Sequence, residues 1–316
     1  MNISLKKLTL LSSLLLLGFV FSNGVNATCV KTGTGAIDIT TGTSPVQDTT
    51  ESGAVDACND TPDEYKVVLY KLGLCTSDSS YNDLSSCQYI INDATGLEQV
   101  ITYPNSTSPS IPEFSIYPAT YPYMVVVLGA KLGIKHSFTT DENIDGSGST
   151  DGKYCWTANS GFTTFTSEGD TVTGYGTSES EGTQMLDCGT SPGTAVFTYE
   201  VINKLNGDSC SATWVANGDR WPVSFDGGTT LETVGNGTAV INLLQQDDSF
   251  ATGCSNVYKI LWTTNLTTPI VVTENSTYDL KVRTKDSVSL DFSDSSNNRI
   301  IKAGADPVQI YLTVTQ

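Results

Sequence analysis

Three stretches in the last forty residues alternate apolar and polar side chains with a period of two. Tyr278, Leu280 and Val282 fall on one side, with Asp279, Lys281 and Arg283 on the other. Val288, Leu290 and Phe292 repeat the pattern, as do Val308, Ile310, Leu312 and Val314. Successive side chains of a strand point to opposite faces, so this period belongs to a sheet with one buried face and one wet face. Turn dipeptides recur along the chain: Asp145-Gly146, Asp151-Gly152, Asn206-Gly207, Asn217-Gly218, Asp226-Gly227 and Asn236-Gly237. They supply the positive φ angles that tight hairpins require. Trp221 to Phe225, Thr229 to Val234 and Thr238 to Leu244 therefore read as a meander. Glu98 to Tyr103, Glu113 to Tyr117 and Tyr123 to Leu128 read as strands between proline-marked loops. The predicted fold is all-β, an antiparallel β-sandwich architecture of one or two domains.

One segment carries two patterns. Thr61-Pro62-Asp63-Glu64 has the cap, first-turn proline and acid of a helix start, and Gly73 would end that helix. Tyr65-Lys66-Val67-Val68-Leu69-Tyr70 is instead β-branched and aromatic and apolar on both faces, as a buried central strand is. The β character of the rest of the chain favours the strand.

The beginning of the chain reads as an address. Lys6 and Lys7 precede an apolar run from Leu8 to Phe21, and Val25-Asn26-Ala27 has the small-residue spacing of a cleavage site. Residues 1–27 are thus expected to be a secretory signal peptide. Their apolar run is shorter than the roughly 20 residues of a membrane span, and no later segment reaches that length. Export bears on the eight cysteines, Cys29, Cys58, Cys75, Cys87, Cys155, Cys188, Cys210 and Cys254. An even number in an exported chain reads as a disulfide framework. Eight cysteines allow about 105 pairings, of which sequential pairing is the simplest. A cysteine-bound metal is disfavoured, because there is no C-x-x-C pair and His136 is the only histidine.

Charge excludes one class of partner. The formal net charge is −18, and loss of Lys6 and Lys7 with the leader takes it to −20. Such a chain repels phosphate backbones, so no nucleic-acid partner is expected. Charged residues make up only 16% of the chain, so its polarity comes from Ser, Thr, Asn and Gly.

Cys58-Asn59-Asp60-Thr61-Pro62, Tyr65-Lys66-Val67-Val68-Leu69-Tyr70 and Leu74-Cys75-Thr76 together resemble the opening of acidic secreted β-proteins of marine bacteria. The resemblance spans some twenty residues. It implies export and a β fold, and it carries over no functional residue. The expected organisation is an N-terminal extension or donor-strand arm at 28–60, a first β domain at 61–138, an acidic Gly/Ser-rich loop at 139–152, and a second β-sandwich domain at 153–316.

Chemistry-bearing patterns are few. A hydrolytic triad on His136 lacks a G-x-S-x-G elbow, and a solvated strand residue is the ordinary reading of this histidine. Paired carboxylates of a glycoside hydrolase have no specific signature in so acidic a chain. No catalytic residue is assigned, and the chain is not expected to be an enzyme. Asp141, Asn143, Asp145 and Asp151 lie in a stretch matching the first half of a calcium loop, so Ca2+ is the one cofactor considered. The closing glutamate is missing, and a polar loop is the plainer reading. Trp156, Trp214, Trp221 and Trp262 with the fourteen Tyr could form a sugar-stacking platform, although Trp214, Trp221 and Trp262 lie in predicted strands, where core packing is commoner. Sequons stand at Asn59, Asn105, Asn236, Asn265 and Asn275. The leading expectation is a secreted structural or adhesive cell-surface protein that self-associates, or binds other surface proteins, by β-strand exchange. Ile37 and Ile39 would then anchor the arm in a neighbour's groove. A carbohydrate-binding module with a glycan ligand is the alternative, and a secreted glycoside hydrolase the third reading.

Overall fold

The structure is a computed structural model. It describes residues 28–39, 46–47, 55–78, 83–103, 114–144, 152–158, 162–166, 169–173, 186–202, 221–224, 238–293, 300–305 and 308–316. Among these the chain forms strands and one short 3-10 turn at Cys254–Asn256. The strands in the first half are β1 (Val46–Gln47), β2 (Val55–Asp60), β3 (Glu64–Cys75), β4 (Cys87–Thr102), β5 (Ala119–Gly129), β6 (Lys131–Lys135), β7 (Ser137–Ile144) and β8 (Gly152–Thr157). Then follow β9 (Phe162–Thr166), β10 (Gly169–Thr173), β11 (Leu186–Gly189), β12 (Thr198–Val201), β13 (Trp221–Ser224) and β14 (Thr238–Leu244). The last are β15 (Lys259–Val272), β16 (Thr277–Arg283), β17 (Val288–Ser293), β18 (Ile300–Ala305) and β19 (Gln309–Thr315). No helix among the described residues is long and apolar enough to cross a membrane.

The segment with two patterns is the strand β3. Its first half alternates buried and half-buried residues and its second half is buried on both faces. β3 pairs with β4 along one edge, and with β6 and then β5 along the other. β5 and β6 thus act as one long strand, broken at Ala130. The Ala130 N–H donates to the Tyr258 carbonyl and its carbonyl accepts from the Ile202 N–H, so at this residue the backbone turns to new neighbours. Beyond β5 the sheet continues through β15, β14 and β13; beyond β6 it continues through β12, β9 and β10. A strand that bends and changes partners in mid-course is how orthogonal sheets share a corner. Pairing in this ten-stranded sheet is antiparallel except between β12 and β9.

Smaller sheets complete the layers: β1-β2-β17-β18, β11-β8-β7 and β16-β19. The alternation read near the C-terminus is used as such. Leu280 is opposite Leu312 in the β16–β19 pair; both are buried, while Asp279 and Lys281 are exposed. Phe114–Tyr117 is not a strand. Pro112 and Pro118 flank it, and neither can donate to a ladder. Of the expected meander, Trp221–Ser224 and Thr238–Leu244 are the strands β13 and β14, which pair directly with each other, and residues 229–234 lie outside the described residues.

One core runs through the sheets, from Tyr65, Leu72 and Leu74 of β3 to Val126 of β5, Ile134 of β6, Trp262 of β15 and Leu290 of β17. A smaller cluster of Cys75, Cys87, Val125, Val127, Leu244 and Leu261 covers the opposite face of β3, β5 and β15. The expected division at 139–152 separates no pair of sheets, since β3, β5 and β6 from one side share a sheet with β12 and β15 from the other.

Candidate functional site

Three disulfides cross-link the described residues. Cys29 is bonded to Cys58, Cys75 to Cys87 and Cys155 to Cys188. Cys75 and Cys87 are direct partners across β3 and β4, and Cys155 and Cys188 across β8 and β11. Cys210 and the side chain of Cys254 lie outside the described residues.

The arm folds onto its own chain. The Cys29 N–H donates to the Asn59 carbonyl of β2, and Gly35, at φ 85°, reverses the chain so that Lys31 bridges Ile37. The Ile37 N–H then donates to the Thr139 carbonyl of β7, the Asp141 N–H donates to the Ile37 carbonyl, and the Ile39 N–H donates to Asp141 Oδ1. Ile37 is 0% exposed in the chain's own core, and Ile39 packs against that core half-buried. The groove expected on a neighbour is therefore supplied intramolecularly, because β7 has an edge free to accept the arm.

Beside this arm lies a cleft of about 540 Å³. Ligand sites of small molecules commonly occupy roughly 300–1,000 Å³. Lys31 and Gly35 of the arm form one wall and the β2–β3 corner, Asp60 to Asp63, another. β7 contributes Ser137 to Thr139, β8 contributes Tyr154 to Trp156, and the segment after β11 contributes Pro192 and Gly193. Tyr103, just past β4, stands at the mouth; its N–H donates to the Asp63 carbonyl.

Three aromatic side chains with accessible surface line the cleft. Tyr103 is 55% exposed and Tyr154 37%, while Trp156 is half-buried. Gly193 holds the indole in place by close approach. A Cβ there would come within 2.1 Å of Trp156 Cε2, so any larger residue would push the ring out of the wall.

An ionic group lies under the floor. Asp60 and His136 are 4% and 3% exposed, with His136 Nε2 3.3 Å from Asp60 Oδ2. Lys31 Nζ donates to Asp60 Oδ1 at 2.8 Å, and the Thr61 N–H donates to the same oxygen. Burial alone would raise the Asp60 pKa. The His136 imidazole, the Lys31 ammonium and the Thr61 N–H outweigh it and hold the carboxyl down to about 2. The His136 ring stacks on Phe138 at 5.3 Å and is not the solvated strand residue expected. It sits at the break between β6 and β7, where the chain turns inward.

Asp141 holds the arm through Ile39, and Asn143 is exposed on β7. Asp145 and Asp151 lie outside the described residues, and among the described residues no group of three or more metal-ligating side chains converges. Trp262 is buried in the core, Trp214 lies outside the described residues, and so does the Trp221 side chain. Asn265 and Asn275 are exposed, whereas Asn59 is half-buried in β2. The sequence did not single out Tyr103 and Tyr154 among the fourteen tyrosines, and it marked Asp63 only as part of a helix-start signal. They meet only because the β2–β3 corner, the end of β4 and β8 converge.

No protein-family model, curated protein or solved structure matches this chain.

Proposed function

We propose that the chain is an exported surface protein that adheres to carbohydrate through this cleft. The observation that carries the reading is the set of aromatic rings, Tyr103, Tyr154 and Trp156, lining one concave surface beside Ser137, Thr139 and Asp63. Ring faces take the C–H faces of a sugar, and hydroxyl and carboxylate groups between them take its hydroxyls. Export rests on the leader-like residues 1–27 and is supported by the three disulfides.

Self-assembly by strand exchange draws less support. A neighbour could receive the arm only if Ile37 left its own core while Cys29 stayed tied to Cys58. The adhesive part of the expectation needs no such exchange.

The test is a glycan array followed by calorimetric titration of the purified chain. Trp156→Ala and Tyr103→Ala should each weaken binding by roughly tenfold, as loss of one well-packed ring contact does. Absence of any glycan ligand, or binding indifferent to both substitutions, overturns the reading.

A further inference from the structure

The cleft is not electrically neutral. Two carboxylates, one ammonium and one imidazole line it, Asp60, Asp63, Lys31 and His136, and the imidazole faces Asp60 at 3.3 Å. The Lys31 ammonium is committed to Asp60, which is buried beneath the surface. Asp63 is exposed and has no cationic partner among the described residues. Its backbone carbonyl holds the N–H of Tyr103, so carboxylate and exposed ring belong to one corner of the mouth. The net effect is one unpaired negative charge beside aromatic faces, on a chain whose total charge is −18.

From this juxtaposition we infer that the cleft selects a sugar bearing a free amine. The inference rests on the carbohydrate reading above and names the ligand class within it. A protonated amine gains from the Asp63 carboxylate and from the negative face of a nearby ring. A uronate or a sulfated sugar meets that same carboxylate as a like charge and loses by it. The Lys31 ammonium does not offset this, because moving it onto a ligand would leave the buried Asp60 carboxylate short of its partner. An N-acetylated sugar keeps the stacking and forgoes the charge term.

The probes are three oligosaccharides of equal length: one of 2-amino-2-deoxyglucose with free amines, its fully N-acetylated counterpart, and a uronate oligomer. Calorimetric titration of the full chain should rank them in that order. The free amine should bind roughly three- to tenfold more tightly than the acetylated form, the size of an exposed ion pair with a cation–π contact. That gap should narrow as salt is raised. Asp63→Asn should bring the free-amine oligomer to the affinity of the acetylated one, and Asp63→Glu should keep the preference. Equal binding of amine and acetylated forms, tighter binding of the uronate, or a preference that survives Asp63→Asn overturns this inference and leaves the cleft reading standing. If none of the three binds and the wider glycan array is blank as well, the cleft reading itself falls, and this inference with it.

Discussion

Lys31 Nζ lies 2.8 Å from Asp60 Oδ1, and two residues earlier on each segment Cys29 is bonded to Cys58. A covalent bond and an ion pair thus clasp the arm to β2 side by side. The disulfide closes a loop with a sequence separation of 29, worth roughly 3–4 kcal/mol by loop-closure entropy. The ion pair then sets the direction in which the arm leaves for β7. Lys31 and Asp60 both line the cleft, so the arm's position and the cleft's shape are coupled.

Ile37 makes that coupling measurable. Its side chain is fully buried, so Ile37→Ala should cost roughly 2–4 kcal/mol in denaturant unfolding. The loss should be independent of protein concentration, because the contact lies within one chain. A concentration-dependent loss would mean that Ile37 serves a neighbour.

Asp60 predicts a pH dependence. Its carboxyl titrates at about 2 in the folded chain against an ordinary 3.8. The folded value is the lower one, so its stabilisation is fully present above 3.8 and is lost as pH falls towards 2. The amount is about 2 kcal/mol. Acid unfolding of Asp60→Asn should show a flatter slope in that window and a lower plateau above it. An unchanged slope would remove Asp60 from the acid response.

Gly193 should not tolerate a methyl group. In Gly193→Ala the new Cβ meets the Trp156 ring at 2.1 Å, and the indole must move. Overpacking of this kind costs roughly 1–3 kcal/mol. Tryptophan fluorescence should shift and glycan affinity should fall together. Retained affinity with a shifted spectrum would show that Trp156 is not part of the binding surface.

Asp248 bridges two lysines, Lys71 and Lys259, each at 2.7 Å. Burial opposes its ionised form, but the two ammonium groups prevail and lower its pKa. Lys259 is itself buried and also donates to the Gln246 carbonyl. Asp248 has φ 68°, a conformation that asparagine tolerates. Asp248→Asn therefore removes charge while keeping the turn, and should cost roughly 1–3 kcal/mol. Thermal unfolding would register it, with little effect on the cleft at the other end of the fold.

Local pattern accounts for most of the fold that was legible in advance. The alternation at Leu280, Val282, Val288 and Leu290 is a property of neighbouring residues, and it survives into the sheets unchanged. In Tyr65 to Leu74 the β-branched and aromatic run outweighed the helix-start signals. A strand there lies between β4 on one edge and β6 and β5 on the other, buried on both faces in its second half, and a helix could not supply those ladder bonds. Trp156 was legible as a candidate because, unlike Trp214, Trp221 and Trp262, it falls in no strand expected from the sequence, although the fold places it in β8.

The amino-acid sequence by itself determined an all-β chain with apolar faces, cross-linked by disulfides and strongly acidic, because periodicity, cysteine number and charge need no knowledge of what lies opposite. Tertiary structure alone decided the cleft. Asp60, Tyr103, His136 and Trp156 come from segments far apart in the chain, and no spacing rule connects them. It also decided that Ile37 fills its own core, since the free edge of β7 exists only once β8 has paired with the other side of it. Pairing between distant strands is set by the complementarity of whole faces, which a linear pattern does not encode.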